Sequence, residues 1–283
     1  MKTGLVLEGG GMRGMFTAGV LDVFLENNLK FDGAIGVSAG AVFGCNFKSQ
    51  QIGRVIRYNT NYCRDYRYCS LRSLITTGNL FGADFCYNKL PNELDIFDID
   101  TYKRNPMKFC VVTTDIEKGV AIYKECDNGD QNDLEWYRAS ASLPLVSRAV
   151  EIDGLKLMDG GIADPIPLKH FEELGYNKNI VILTQPDNFI KRPDKSVRLI
   201  KHVYKHYPEL IKAMERRHNV YNEQLNYVSC REKSGDVLAI RPPVILPVGR
   251  IEHSSKKLYL AYSMGREVAE NKIKEIKGFL GYV

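Results

Sequence analysis

Apolar residues at the start of the chain fall into short runs and longer, spaced stretches. Residues 3–8 and 31–37 are short apolar runs of the kind that form buried strands. After the first run, apolar residues recur at helical spacing over residues 14–27, and after the second the small residues of 39–47 suit a helix packed tightly against a sheet. The order strand, helix, strand, helix predicts a βαβα unit with parallel strands.

The regular pattern is lost in the middle of the chain and then returns. From about residue 50 to residue 105 the chain is polar and rich in tyrosine, which predicts a helical insertion beside the site. Helical patterns return at residues 132–142 and 165–174. Strand patterns return at residues 108–115, 120–124, 155–158 and 179–183. Together these elements predict a three-layer α/β/α fold with a central, mostly parallel sheet.

Toward the C-terminus the pattern is mainly helical. The stretch 196–227 has helical spacing, but Pro208 should end or kink a helix, so we predict two helices there. A late strand is expected at residues 236–240 and a closing amphipathic helix at residues 254–277.

Length and composition fit one main core. The chain has 283 residues, of which 44% are hydrophobic and 26% charged, which is the balance of a globular protein. We expect a main α/β domain over residues 3–185, with the insertion inside it. A helical C-terminal region over residues 190–283 is expected to pack on that core.

Several features bear on compartment and partners. The first apolar run meets a glycine cluster too early to form a signal-peptide core, and no run of about 18 or more apolar residues could span a bilayer. The seven cysteines are scattered without a CxxC pair, so we expect a cytoplasmic chain with no metal and no other cofactor. The net charge of +5 is mild, which favours an ordinary solvated surface over a nucleic-acid partner, and no obligate protein partner is indicated.

A candidate nucleophile lies between the second predicted strand and its helix. Gly36, Val37, Ser38, Ala39 and Gly40 form a GxSxG sequence at this junction. A tight turn there needs small residues on both sides and presents the serine hydroxyl outside the fold. We therefore predict that Ser38 sits on a nucleophile elbow.

A glycine-rich loop follows the first predicted strand and opens the first helix. It consists of Gly9, Gly10, Gly11, Met12, Arg13 and Gly14. Free N–H groups and the helix dipole favour negative charge at such a position, so the loop is a candidate oxyanion hole. The Arg13 side chain could reinforce the loop or meet a lipid phosphate, and a surface cation is an equal alternative.

A candidate base follows the predicted strand 155–158. Asp159 precedes Gly160 and Gly161, which predicts a carboxylate held on a sharp turn at a strand end. An exposed aspartate is a weak base at neutral pH, but burial beside an apolar wall raises the pKa of its carboxyl. A turn aspartate without a chemical role is the alternative.

These three segments, in this order, resemble the patatin-like phospholipases, whose marks are a GGGxxG oxyanion loop, a GxSxG elbow and a DGG or DGA aspartate. The resemblance extends over about residues 3–185 and includes the small residues of 139–144. In that family a serine and an aspartate cleave acyl esters of lipids as a dyad. The resemblance implies that Ser38 is the nucleophile and Asp159 the base of a phospholipase A or lysophospholipase, with a lipid or ester substrate.

Three other interpretations use the same residues. Gly9, Gly11 and Gly14 also satisfy a dinucleotide-binding GxGxxG, but the acidic partner of that motif is missing at the end of the second strand. A Ser-Asp-His esterase of the α/β-hydrolase type is compatible with the residue order. Its histidine would be one of His170, His202, His206, His218 and His253. A non-catalytic lipid or protein binding module that retains the elbow is the third.

Peripheral contact with a membrane is also open. The predicted C-terminal helices mix apolar residues with the basic residues Arg198, Lys201, Lys205, Lys212, Arg216 and Arg217. Basic amphipathic helices can lie on anionic membranes. A solvated helix that covers the core is the interpretation the sequence favours.

Overall fold

The structure is a computed structural model that describes residues 2–282. Its centre is an eight-stranded sheet in the order β5-β6-β3-β2-β1-β7-β8, with β4 also paired to β3. The strands are β1 (Lys2–Leu7), β2 (Gly33–Val37), β3 (Lys108–Asp115), β4 (Val120–Glu125), β5 (Val150–Ile152), β6 (Leu155–Asp159), β7 (Tyr176–Ile182) and β8 (Val237–Ile240). Strands β3, β2, β1, β7 and β8 are parallel, whereas β4, β5 and β6 are antiparallel to their neighbours.

Helices cover both faces of the sheet. They are α1 (Gly14–Glu26), α2 (Ala39–Lys48), α3 (Arg54–Tyr62), α4 (Leu71–Thr77), α5 (Ile99–Arg104), α6 (Gln131–Ser140), α7 (Leu168–Glu173), α8 (Val197–Val203), α9 (Pro208–Lys233) and α10 (Ser255–Leu280), with a π-helix at Phe85–Leu94. Leu5 and Leu7 of β1 join the core under α1, α2, α6 and α10, while Val6 joins the core under α7 and α9. Because alternate residues of a strand point to opposite faces, this burial on both sides confirms the three-layer α/β/α fold.

The C-terminal part of the chain contributes to the central sheet and to both outer layers. Strand β8 extends the sheet beside β7, and α10 packs against α1. Pro208 is the first residue of α9, which follows α8. Proline is favoured at this position, because the first N–H groups of a helix have no partner within it. The two helices predicted around Pro208 are therefore present.

Strand β3 has different neighbours along its length. Residues 110–112 of β3 have β4 on one side and β2 on the other, whereas Thr113–Asp115 have β4 on one side and β6 on the other. Strands β2 and β6 therefore lie end to end along the same edge of β3. They run in opposite directions, so their C-terminal ends meet.

Two further observations concern membranes and metals. None of the helices within residues 2–282 combines the length and the apolar character needed to cross a bilayer. Within the same residues, His, Cys, Asp and Glu side chains form no cluster of three or more that could hold a metal ion.

Candidate active site

Ser38 lies at the C-terminal end of β2, immediately before α2. Its φ of 54° and ψ of −122° place a non-glycine residue in a strained region of backbone space. Its N–H donates to Ser140 Oγ (2.8 Å), and the Ser140 hydroxyl in turn donates to the carbonyl of Val112 (2.6 Å). A Cβ at Gly40 would overlap the carbonyl oxygen of Leu7, so only glycine lets α2 approach β1 this closely. Ser38 thus has the backbone of a nucleophile elbow.

Asp159 is the last residue of β6 and is buried. Its Oδ1 accepts a hydrogen bond from the N–H of Gly161 (2.8 Å). Its own N–H donates to the carbonyl of Ser142 (2.8 Å), and the Thr114 hydroxyl donates to its carbonyl (2.8 Å). The carboxylate and the backbone on both sides of it are therefore held in one orientation.

The environment of Asp159 makes it a better base than an exposed aspartate. Burial raises the pKa of its carboxyl, because the charged form loses its water. The positive charge of Arg217, the nearby Ser38 side chain and the Gly161 N–H each act in the opposite direction and are weaker. The Ser38 side chain thus lies close enough to Asp159 to influence its carboxyl, whose raised pKa makes it a stronger base than an exposed aspartate.

The glycine loop lies against Ser38. A Cβ on Gly9 would come within 2.9 Å of the Cβ of Ser38, so the loop passes Ser38 without space for a side chain. The N–H of Met12 donates to the carbonyl of Arg250 (3.1 Å), and that of Arg13 donates to the carbonyl of Gly10 (3.3 Å). Gly14 packs on α2, where a Cβ would meet the ring of Phe43.

A cavity of about 400 Å³ opens beside Ser38, a volume within the range of ligand sites in proteins. Charged and polar residues from the C-terminal region, Asp194, Ser196, Arg217 and Arg250, line part of it. The helical insertion supplies part of the apolar wall, with Tyr58, Tyr68, Leu80, Phe81, Cys86, Tyr87, Leu90, Pro91 and Phe97. The cavity therefore has a largely apolar lining that also includes charged side chains of both signs.

The five histidines lie elsewhere. His202 and His206 are exposed. His170 stacks on Tyr123 with ring centroids 3.5 Å apart, and His253 Nδ1 lies 2.6 Å from the carbonyl oxygen of Cys63. His218 is half-buried on α9. Across the described residues, no histidine lines the cavity.

Three residues that the sequence analysis did not single out contribute to this site. Ser140 connects the elbow to β3, and its segment 139–144 was noted only as small residues. Arg217 and Arg250 come from the C-terminal region. Arg217 was grouped with the basic residues of a solvated or membrane-facing helix, but it is buried at 9% exposure, because the helix turns this position toward the sheet.

Comparisons with known proteins agree with the geometry. The sequence model of the family described as "Patatin-like phospholipase" matches residues 5–171. The chain therefore belongs to the patatin-like phospholipase family, as its motifs predicted. A second family, "Domain of unknown function (DUF6363)", matches residues 207–281.

Individual relatives share part of their length with this chain. The "Uncharacterized protein YjjU" of Escherichia coli is 32% identical over 209 residues, which are 68% of this chain and 54% of YjjU. "Lysophospholipase NTE1" of Chaetomium globosum is 26% identical over 188 residues, 62% of this chain and 11% of that protein. The chain thus spans about half of YjjU and a small part of NTE1.

A solved structure supports the fold. VipD from Legionella pneumophila superimposes with a TM-score of 0.50 and 13% sequence identity, covering 97% of this chain and 67% of VipD. This likeness concerns the fold alone.

Proposed function

We propose that this chain is a serine lipid acyl hydrolase that works through Ser38 and Asp159. The observation that carries the proposal is the position of Ser38, which occupies a strained elbow and borders a largely apolar cavity. Its side chain also lies near the buried Asp159 carboxyl, whose pKa burial raises. Membership of the patatin-like phospholipase family supports a lipid ester as substrate.

The reaction follows from the positions of the groups. Ser38 Oγ attacks the acyl carbonyl carbon, and its proton passes to the Asp159 carboxylate. The electron pair of the C=O bond moves to the oxygen, where backbone donors of the glycine loop are worth about 3 to 4 kcal/mol. Since the N–H groups of Met12 and Arg13 are engaged, we assign this role to Gly10 and Gly11.

Completion of the cycle uses the same carboxyl group. As the ester C–O bond breaks, the leaving alkoxide takes the proton from Asp159 and an acyl group remains on Ser38. Water then attacks this ester while Asp159 accepts its proton, and Ser38 departs with that proton as the fatty acid is released. No histidine is required for either half.

A glycerophospholipid or lysophospholipid is the substrate we propose. The apolar residues that line the cavity suit an acyl chain, and the lining residues Arg217 and Arg250 offer positive charge to a phosphate-bearing head group. The name of NTE1, a lysophospholipase, points in the same direction. Arg13 is not among the residues that line the cavity. Burial lowers the pKa of its guanidinium, and the charges of Glu8 and Arg250 act on that pKa in opposite directions.

Labelling and substrate profiling test this proposal together. A fluorophosphonate probe should label the wild type and leave Ser38→Ala unlabelled. The labelled protein should release fatty acid from lysophospholipids or phospholipids. Labelling without hydrolysis of any lipid or nitrophenyl ester would instead favour a binding module that retains the elbow.

We further propose that the chain works in a reducing, cytoplasmic compartment and touches membranes peripherally. All seven cysteines are free thiols in the structure. Helix α8 exposes Leu199 at 54% and Val203 at 53%, one helical turn apart, beside the basic Arg198 and Lys201. The buried Ile200 of the same helix lines the cavity, so helix α8 adjoins the site.

Vesicle sedimentation tests the membrane contact. Leu199→Ser with Val203→Ser should reduce binding to phosphatidylserine-containing vesicles severalfold, because insertion of apolar side chains into the interface is lost. Val120→Ser with Leu174→Ser removes comparable exposed apolar groups from other elements and should leave binding unchanged. Equal binding by both double variants and the wild type would contradict contact through α8.

A further inference from the structure

An arginine occupies a core position of α9. The buried residues of this helix fall on one stripe: Leu210, Ala213, Met214, Arg217, Tyr221 and Val228. Its neighbours Glu215 and Arg216 are exposed. A charge on the buried face of an amphipathic helix is costly unless it is paired and hydrogen-bonded. The contacts of Arg217 therefore have to account for its presence.

Those contacts are made with the aspartate turn. The Nε of Arg217 donates a hydrogen bond to the carbonyl oxygen of Gly161. Its Nη2 is so close to Gly161 that a Cβ there would lie 3.2 Å from it, and 3.0 Å from Asp159 Oδ1. The guanidinium thus lies next to the turn that begins at Asp159. Within residues 2–282 its buried Nη1 has no hydrogen-bond partner, and the side chain borders the cavity.

We infer that Arg217 is a positioning residue for Asp159, fixing the turn through the Gly161 carbonyl and keeping the carboxylate ionised. The inference rests on the proposed function of Asp159 as a base. It also gives a role to residues 207–281, which match a domain of unknown function: this region completes a catalytic site whose nucleophile and base lie in the patatin-like segment.

Charge, and not only the backbone hydrogen bond, is needed for this role. Burial raises the pKa of Asp159, and without an opposing charge the carboxyl would hold its proton over a wider pH range. Arg217 is the largest influence that lowers this pKa, and Asp159 is in turn the largest influence that favours the charged form of Arg217. Arginine suits the position because it remains protonated even when buried.

Two substitutions separate the charge from the packing. Arg217→Lys keeps a positive charge with a shorter reach, whereas Arg217→Gln keeps a hydrogen-bond donor and removes the charge. Arg231→Gln is the matched control, since Arg231 lies on the same helix and pairs with Glu172 and Asp236 away from the site. For each protein, the rate of fluorophosphonate labelling and kcat/KM for a nitrophenyl ester are measured across pH, together with the thermal midpoint.

The expected result is a shift of the acid limb, which is the part of the pH–rate profile where the rates fall as the pH is lowered. In Arg217→Gln the fall of both rates on acidification should begin at a higher pH than in the wild type. At pH values below this onset both rates should be lower than those of the wild type by about tenfold or more, as expected when a nearby opposite charge is removed. Arg217→Lys should lie between Arg217→Gln and the wild type. Arg231→Gln should lose thermal stability without moving the limb.

Three outcomes would overturn the inference. A folded Arg217→Gln protein with the wild-type pH profile would make Arg217 a packing residue while leaving the proposed function intact. An inactive and unlabelled wild type would remove the proposed function and this inference with it. If Arg217→Gln does not fold, the Arg217→Gln, Asp159→Asn protein should fold, since a neutral pair needs no counter-ion, and its failure to do so would also assign Arg217 to packing.

Discussion

Val112 and Thr113, consecutive residues of β3, pair with the last residues of two different strands. Val112 pairs with Val37 at the end of β2, and Thr113 pairs with Asp159 at the end of β6. The residue after Val37 is Ser38, so one edge of β3 brings Ser38 and Asp159 near each other from opposite directions. The Ser140 hydroxyl reinforces this arrangement, because it bridges the Ser38 N–H and the Val112 carbonyl.

The elbow should not tolerate a methyl group at Gly40. Gly40→Ala forces a Cβ against the carbonyl of Leu7, so α2 and β1 must separate at a cost of about 1 to 3 kcal/mol. We expect a lower free energy of unfolding and slower labelling of Ser38 by a fluorophosphonate. Gly278→Ala, at a helical position with open space around it, is the control and should leave both quantities unchanged or slightly raise stability. Equal labelling rates in the two variants would argue against a strained elbow.

The apolar residues that line the cavity should determine which acyl-chain lengths the protein accepts. Cys86 of the π-helix lines the cavity, and Cys86→Phe would fill part of it. A mismatch of one methylene in an apolar pocket changes the binding free energy of the transition state by about 1 to 3 kcal/mol. We therefore expect kcat/KM for long-chain lysophospholipids to fall by about 10-fold or more. Short nitrophenyl esters should be hydrolysed within a few-fold of the wild-type rate. Cys230→Phe changes an exposed cysteine and should alter neither substrate, and a uniform loss on all substrates would mean that Cys86 does not face the acyl chain.

Activity should fall on acidification as Asp159 takes up a proton. A protonated carboxyl cannot accept the hydroxyl proton of Ser38, so kcat/KM decreases as the pH drops through the pKa of Asp159. Because burial raises that pKa, the decrease should occur at higher pH than for an ordinary exposed aspartate. A pH series of kcat/KM under conditions where the protein stays folded measures this limb. A decrease at the pH of an ordinary exposed aspartate would mean that water reaches the Asp159 carboxyl and that burial does not raise its pKa.

The histidines should be dispensable for chemistry. Replacement of His170, His202, His206, His218 and His253 by alanine, one at a time, should keep kcat/KM within a few-fold of wild type. Within the described chain, none of them lines the cavity. A folded histidine variant without activity would favour the Ser-Asp-His alternative.

Local sequence patterns predicted the parts of this molecule that depend on local interactions. The βαβα opening, the glycine loop and the serine elbow depend on neighbouring residues and their spacing, so they could be recognised directly. The three-residue strand β5 and the end-to-end meeting of β2 and β6 could not, because strand direction is set by distant pairing partners. Arg217 could not be separated from the solvated arginines of its helix, since a buried charge resembles a surface charge until its partner is located.

The rate of lysophospholipid hydrolysis by Asp159→Asn shows whether Asp159 is the base of the proposed reaction. Asparagine keeps the size of the side chain and an acceptor for the Gly161 N–H, but it cannot accept a proton at neutral pH. We expect a folded protein whose kcat/KM is lower by about 100-fold or more, as for a lost general base, and comparable to that of Ser38→Ala. A folded Asp159→Asn protein that hydrolyses the lipid within a few-fold of the wild-type rate would contradict the proposed role of Asp159 as the base.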